Sequence, residues 1–325
     1  AGLHTAQTAG LALATDLAPA DRRPRVVALL YVMLLLGMVG SSLIFAALLD
    51  DFSNTRLIQV IQGAAVITLV INVIAMWQQE ARNPGLTRPD RQRPVFLERW
   101  REFRRGGRAG RLLLAVGLGT AGFSMQDILL EPYGGEILGL SVGATTGLTA
   151  LLAAGMLSAF AIASRQLGRG ADPVRIAGAG AVIGIFAFAA VTLAAPLHST
   201  SLFQAGTVLI GLGGGLFAVG TLTSAMALAS QGDSGLALGA WGAVQATAAG
   251  AAIMFSGGLR DLISHLAESG SLGPVLNAPS TGYSAVYHLE IALLFAALVA
   301  IGPLVRRPGD EVVEPTGFGL ADFPG

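Results

Sequence analysis

Long uncharged apolar runs alternate with short clusters of Arg, Asp and Glu along this chain. Val26–Leu49, Leu57–Trp77, Leu112–Leu130, Ile137–Ser164, Ile176–Ala195, Leu202–Ala229, Leu236–Gly258 and Ser284–Val305 each read as one membrane-length helix, giving eight full spans. A bilayer core is ~30 Å thick and takes about 20 apolar helical residues to cross. The opening run AGLHTAQTAGLALATDLAP reads as the second half of a ninth helix. It has no basic n-region of a signal peptide. The fold class is an all-α polytopic membrane protein. A soluble helical domain would need polar faces on its outer helices, and the runs carry almost none.

Between the runs, Gln78–Arg111 is the one long hydrophilic segment, with Pro84, Pro89 and Pro94. Within it Phe96, Trp100 and Phe103 recur at helical spacing among Arg99, Arg101, Arg104 and Arg105. That pattern fits an interfacial helix lying on the membrane, or equally a solvated linker with a short helix. The chain therefore divides into 1–77 (the end of an N-terminal bundle), 78–111 (linker), 112–305 (a six-helix bundle) and 306–325 (a polar tail). The breaks at 16–25, 78–111 and 165–175 and the end at 306–307 are Arg-rich; those at 50–56, 131–141, 196–201 and 259–283 are Arg-poor. Arg-rich loops stay cytoplasmic, which predicts a cytoplasmic C-terminus.

Composition narrows the chemistry. Charged residues make up only 12% of the 325 and the formal net charge is zero, so nothing points to nucleic acid. All 20 basic residues are Arg. Without Lys there is neither Schiff-base chemistry nor a P-loop lysine in this chain. Cys is absent and His numbers four, which argues against thiolate chemistry and a multi-His metal site. GLGGG at Gly211–Gly215 lies mid-span and does not follow a strand, so it is no phosphate loop. Its glycines, and those of Gly235–Gly250, offer small-residue faces for close helix packing. Gln59, Gln62, Asn72, Gln204 and Gln245 read as interhelical packing contacts.

The candidate site lies around QDILLEPYGGE, Gln126–Glu136. Acidic side chains at lipid depth are costly and are commonly paired or functional. Asp127 and Glu131 are four residues apart and share a helix face. Asp127 falls ~22 Å into its span at about 1.5 Å per residue, within the outer leaflet. Pro132 predicts that the helix ends near Glu131, with Tyr133, Gly134 and Gly135 forming a turn that could approach a partner. For Glu131 and Glu136 interfacial solvation is the alternative; for Asp127 it is a bond to a neighbouring helix. Glu290 enters the last span beside His288 and Tyr287, which fits a proton relay or an interhelical hydrogen bond. His288 is a candidate axial ligand to a chlorin magnesium, or simply a hydrogen-bonding group.

The string QDILLEPYGGEILGLSVGATTGLTA (Gln126–Ala150) resembles the signature of the PucC/LhaA family, and TAQTAGLALATDLAPADRRPRVVALLYVMLL (Thr5–Leu35) resembles it at the matching place. The resemblance implies a major-facilitator-type bundle of six spans, a long cytoplasmic linker and six more, with three whole N-terminal helices missing here. GRGADPVR (Gly168–Arg175) loosely matches that superfamily's Gly/Asp/Arg motif. The resemblance further implies a non-enzymatic role in assembling light-harvesting antennas in a bacterial inner, intracytoplasmic membrane. Its implied partners are antenna polypeptides, the photosynthetic core complex and membrane lipids. Its implied cofactor is bacteriochlorophyll, carried as cargo, with no metal of the protein's own. Gln126, Asp127, Glu131, Tyr133, Gly134, Gly135, Glu136, His288 and Glu290 are the candidate binding residues. Aspartate-rich prenyltransferase motifs are absent. The rival reading is a proton-coupled secondary transporter in which Asp127 and Glu290 carry protons.

Overall fold

Charge marks where a helix leaves the lipid, but hydrogen bonding decides where it ends. A computed structural model of the chain describes residues 10, 23–77, 100–101, 107–229 and 234–305. Their regular structure is entirely helical: α1 Arg23–Leu48, α2 Asn54–Met76, α3 Arg108–Ser124, α4 Leu130–Glu136, α5 Val142–Gly168, α6 Pro173–Ala194, α7 Thr200–Ala229, α8 Ser234–Glu268 and α9 Thr281–Ile301, with short 3-10 turns. Among the described residues, seven helices are long and apolar enough to cross a membrane, and α1 adds the apolar stretch Val32–Leu48. The chain is a polytopic helical membrane protein. Nearly all of the first partial helix and of the Val95–Arg105 segment, the loop near Asp233 and the tail lie outside the described residues.

Three predicted boundaries move. The expected basic break Arg165–Arg175 contracts, because α5 runs to Gly168 and α6 starts at Pro173. Asp172 caps α6 by accepting from the Val174 N–H at 3.0 Å, and Pro173 suits the first helical turn. Gly170, at φ +81°, makes the reversal a side chain would strain. The expected loop Leu259–Gly282 is helical as far as Glu268, so Arg260 and Asp261 are α8 residues. The span expected to end near Leu130 reaches Glu136 through a 3-10 turn, giving the continuous apolar unit Arg108–Glu136.

α7 is the centre of the packing. A side chain at Gly211 or Gly155 would strike the facing backbone, Leu152 and Val208 respectively, where α7 crosses α5. On the other side a Cβ at Gly213 would lie 2.7 Å from the Gly180 carbonyl of α6, and one at Gly180 would lie 2.5 Å from the Gly213 carbonyl. Backbones that approach this closely gain dispersion contact, the main attraction left between helices in lipid. The predicted small-residue face of Gly211–Gly220 is therefore used twice. In Gly235–Gly250 the alanines Ala237, Ala240 and Ala249 are buried, while Gly239, Gly242 and Gly250 meet no other described residue.

At the edge, α1 packs on α5, where Ser42 Oγ donates to the Thr146 carbonyl at 2.6 Å. α2 has no buried residue. Gln59, Gln62, Asn72 and Gln204 are exposed, and Asn72 donates to the Thr68 carbonyl of its own helix. Among the described residues they bridge no two helices.

Candidate functional site

The acidic stretch is built on a change of helix pitch. α3 ends at Ser124, and Met125–Ile128 winds as a 3-10 turn, with the Leu129 N–H donating to the Gln126 carbonyl at 2.9 Å. α4 then restarts at Leu130, so Pro132 sits in a first turn, where its missing N–H costs no helical bond. The predicted turn at Tyr133, Gly134 and Gly135 is thus helix. Neither glycine has the positive φ such a turn would show. Gly134 instead lets α4 pack tightly: a Cβ there would lie 3.1 to 3.3 Å from Phe203, Leu140 and Thr145. Gly135 is looser.

The pitch change divides the predicted residues into an outer and an inner group. In the outer group, Glu131 is exposed and accepts from Thr149 Oγ1 at 3.1 Å, tying α4 to α5. Glu136 accepts from the Tyr283 hydroxyl at 2.6 Å and pairs with Arg260. Arg260 also donates to Asp261 at 2.9 Å and to the Tyr283 oxygen at 2.6 Å, with its guanidinium 4.4 Å from the Tyr283 ring centroid. One network thereby joins α4, α8 and α9. Arg260 and Tyr283 were not among the sequence-predicted residues. A lone Arg in an otherwise Arg-poor break was the only signal of it.

In the inner group, Tyr133 is fully buried and donates to the Val191 carbonyl of α6 at 3.1 Å. Its ring lies 5.4 Å from those of Phe203 and Tyr283 and 5.5 Å from that of Tyr287. Behind this layer Glu290 is 0% exposed, and neither carboxyl oxygen makes a well-formed hydrogen bond among the described residues, although the Gln126 backbone N–H reaches toward the carboxyl. The Tyr287 hydroxyl and Gln126 Oε1 are likewise buried and unpartnered. Gln126 Nε2 donates to Asp127 and to the Phe123 carbonyl. Asp127 can be reached from outside the chain, yet protein crowds its carboxyl on most sides.

His288 does not join this group. Only two residues before Glu290, it faces outward, with Nδ1 2.7 Å from the Ser284 carbonyl. Because a carbonyl only accepts, Nδ1 carries a proton, and Nε2 makes no hydrogen bond among the described residues. Among the described residues no three His, Cys, Asp or Glu side chains could hold a metal ion together. Among the described residues the arrangement offers hydrogen bonding, a charge network and an outward-facing imidazole.

Fold and site thus define a multi-pass helical membrane protein with polar groups set into apolar helices. The chain belongs to the PUCC protein family, whose model matches residues 1–309. It is 55% identical over 266 residues to Protein PucC of Rhodovulum sulfidophilum, covering 81% of this chain and 59% of that one. It is 48% identical over 305 residues to Protein PucC of Cereibacter sphaeroides, covering 94% and 65% respectively. A Rhodobacter capsulatus protein named for the puhA-bchM intergenic region is 50% identical over 329 residues, covering 99% and 69%. The chain spans 59% to 69% of the length of these relatives.

Proposed function

We propose that this protein is a non-enzymatic membrane assembly factor for bacterial light-harvesting antenna complexes, binding antenna polypeptides, bacteriochlorophyll or both. Membership of the PUCC protein family across residues 1–309 carries the reading. The architecture is compatible with it. Its long apolar helices are of the kind that single-span polypeptides pack against in lipid. The finer fold in this reading is the major-facilitator bundle, with α3 to α9 as its C-terminal half. The protein sits in the inner membrane with its C-terminus in the cytoplasm, as the Arg distribution favours.

For pigment, the residue that fits is His288. The residue is exposed on an apolar helix, and the Ser284 carbonyl holds the ring through Nδ1 as second partners of metal-bound histidines do. It would hold the magnesium of a chlorin passing along the bundle surface. The test is the absorbance of the full-length protein purified from pigment-making cells. A red chlorin band that His288→Ala removes supports the assignment, and a band indifferent to that change contradicts it.

The second reading is proton-coupled secondary transport, favoured by the placement of Asp127 and Glu290 inside apolar spans. Uptake driven by a proton gradient and abolished by Asp127→Asn would establish it over the first.

A further inference from the structure

The inner polar group has no use in the assembly reading, and its chemistry is one-sided. Gln126 Oε1 and both Glu290 oxygens are acceptors with no side-chain donor, only the Gln126 backbone N–H reaching toward the carboxyl, and the Tyr287 hydroxyl beside them is an unpartnered donor; the other unpartnered buried donor among the described residues, Arg260 Nε, belongs to the outer network. All three residues are buried, Glu290 and Tyr287 completely. A charged carboxylate in such a place needs a cation. The helices packed on α9 supply none that is free at this depth. α3 carries only Arg108 and Arg111, in its first turn, and α6 only Arg175, also in its first turn and ~24 Å from Val191 at about 1.5 Å per residue. On α8, Arg260 is engaged by Glu136 and Asp261, and His265 and Glu268 lie beyond it toward the helix end. The 3-10 turn supplies Asp127, a like charge, and α4 and α9 supply tyrosines.

We propose that Glu290 is a proton-binding site, closed in this conformation by a tyrosine layer that the Glu136–Arg260 pair holds in place. Tyr283, Tyr287 and Glu290 stand on one face of α9 at successive turns. The Tyr283 hydroxyl is fastened to Glu136 and Arg260, and the Tyr133 ring meets both Tyr283 and Tyr287 edge-on. Three rings therefore separate the ion pair from the carboxyl. A proton is the smallest partner for a group with no exposed surface. It comes from water and returns to water: hydronium and the carboxylate give water and the carboxylic acid, and no other group changes charge. Exchange requires the layer to part. The inference does not depend on the antenna assignment or on transport.

Infrared spectroscopy of the full-length protein in liposomes at neutral pH tests this. The expected result is a carboxylic-acid C=O band that shifts with 13C-glutamate labelling and disappears in Glu290→Gln. In Glu290→Asp, which keeps an acid at the position should the amide variant misfold, the band should persist and lose its sensitivity to the glutamate label. In D2O the wild-type band should shift slowly, and several-fold faster in Glu136→Gln. The absence of a glutamic-acid band at neutral pH, or its survival in Glu290→Gln, overturns the site. An exchange rate unchanged in Glu136→Gln overturns the closure.

Discussion

Glu136 and Arg260 are 124 residues apart in sequence and meet through a charge-assisted bond that ties the end of α4 to α8. Tyr283 of α9 completes the contact, donating to Glu136 and accepting from Arg260. The two charged side chains are 56% and 26% exposed, so screening limits what the pair contributes. A double-mutant cycle with Glu136→Gln and Arg260→Gln should give a coupling of about 1 kcal/mol, read from thermal unfolding in detergent. A coupling of zero would show that the ion pair itself adds nothing beyond the Tyr283 hydrogen bonds and the apolar contacts.

Tyr133 should matter more for its ring than for its hydroxyl. The ring is fully buried against Phe203, Tyr283 and Tyr287, while the hydroxyl makes one bond to the Val191 carbonyl. Tyr133→Phe should cost about 1 kcal/mol and Tyr133→Ala roughly 3 to 5 kcal/mol of stability. Equal losses in the two variants would contradict this division.

The glycines of α7 and α8 should respond oppositely to the same change. Gly211→Val or Gly213→Val must push α7 off α5 or α6, a loss of about 3 kcal/mol or more that lowers the yield of folded protein. Gly242→Ala, in open space on α8, should leave stability unchanged or raise it by roughly 0.5 to 1 kcal/mol through helix propensity. Folded yield by size-exclusion chromatography separates the two classes. Should the full-length protein cover that face of α8, Gly242→Ala would instead behave like the α7 variants.

These contrasts show what could be read from the chain and what could not. The apolar spans were legible because lipid penalises charge over the whole length of a helix, a signal summed over many residues. Helix ends were less legible, since Arg260 and Asp261 mark the lipid boundary while backbone hydrogen bonding carries α8 on to Glu268. Pro132 misled for a related reason: proline breaks a helix interior but is tolerated in a first turn, and the 3-10 turn that makes Leu130 a new start has no sequence signature. Helical periodicity pairs Glu290 with Tyr287 three positions back and turns His288 away, a separation that reading the three as neighbours in sequence did not make. The partner of Glu136 did not follow, because it arrives from another helix and only the folded bundle selects it.

The outer network also bears on salt dependence. With Glu136 more than half exposed, its bond to Arg260 should weaken as ionic strength rises. A cysteine placed at Ile137, half-buried just past the end of α4, should react faster with a water-soluble maleimide in high salt than in low. A rate independent of salt would show that this helix end is closed by other contacts.

The antenna assignment is tested most directly by quantitative mass spectrometry of the full-length protein isolated in mild detergent from antenna-producing membranes. Antenna polypeptides should be enriched with it well above their recovery with an unrelated multi-pass protein of equal abundance. Recovery no greater than with that control would contradict an assembly role.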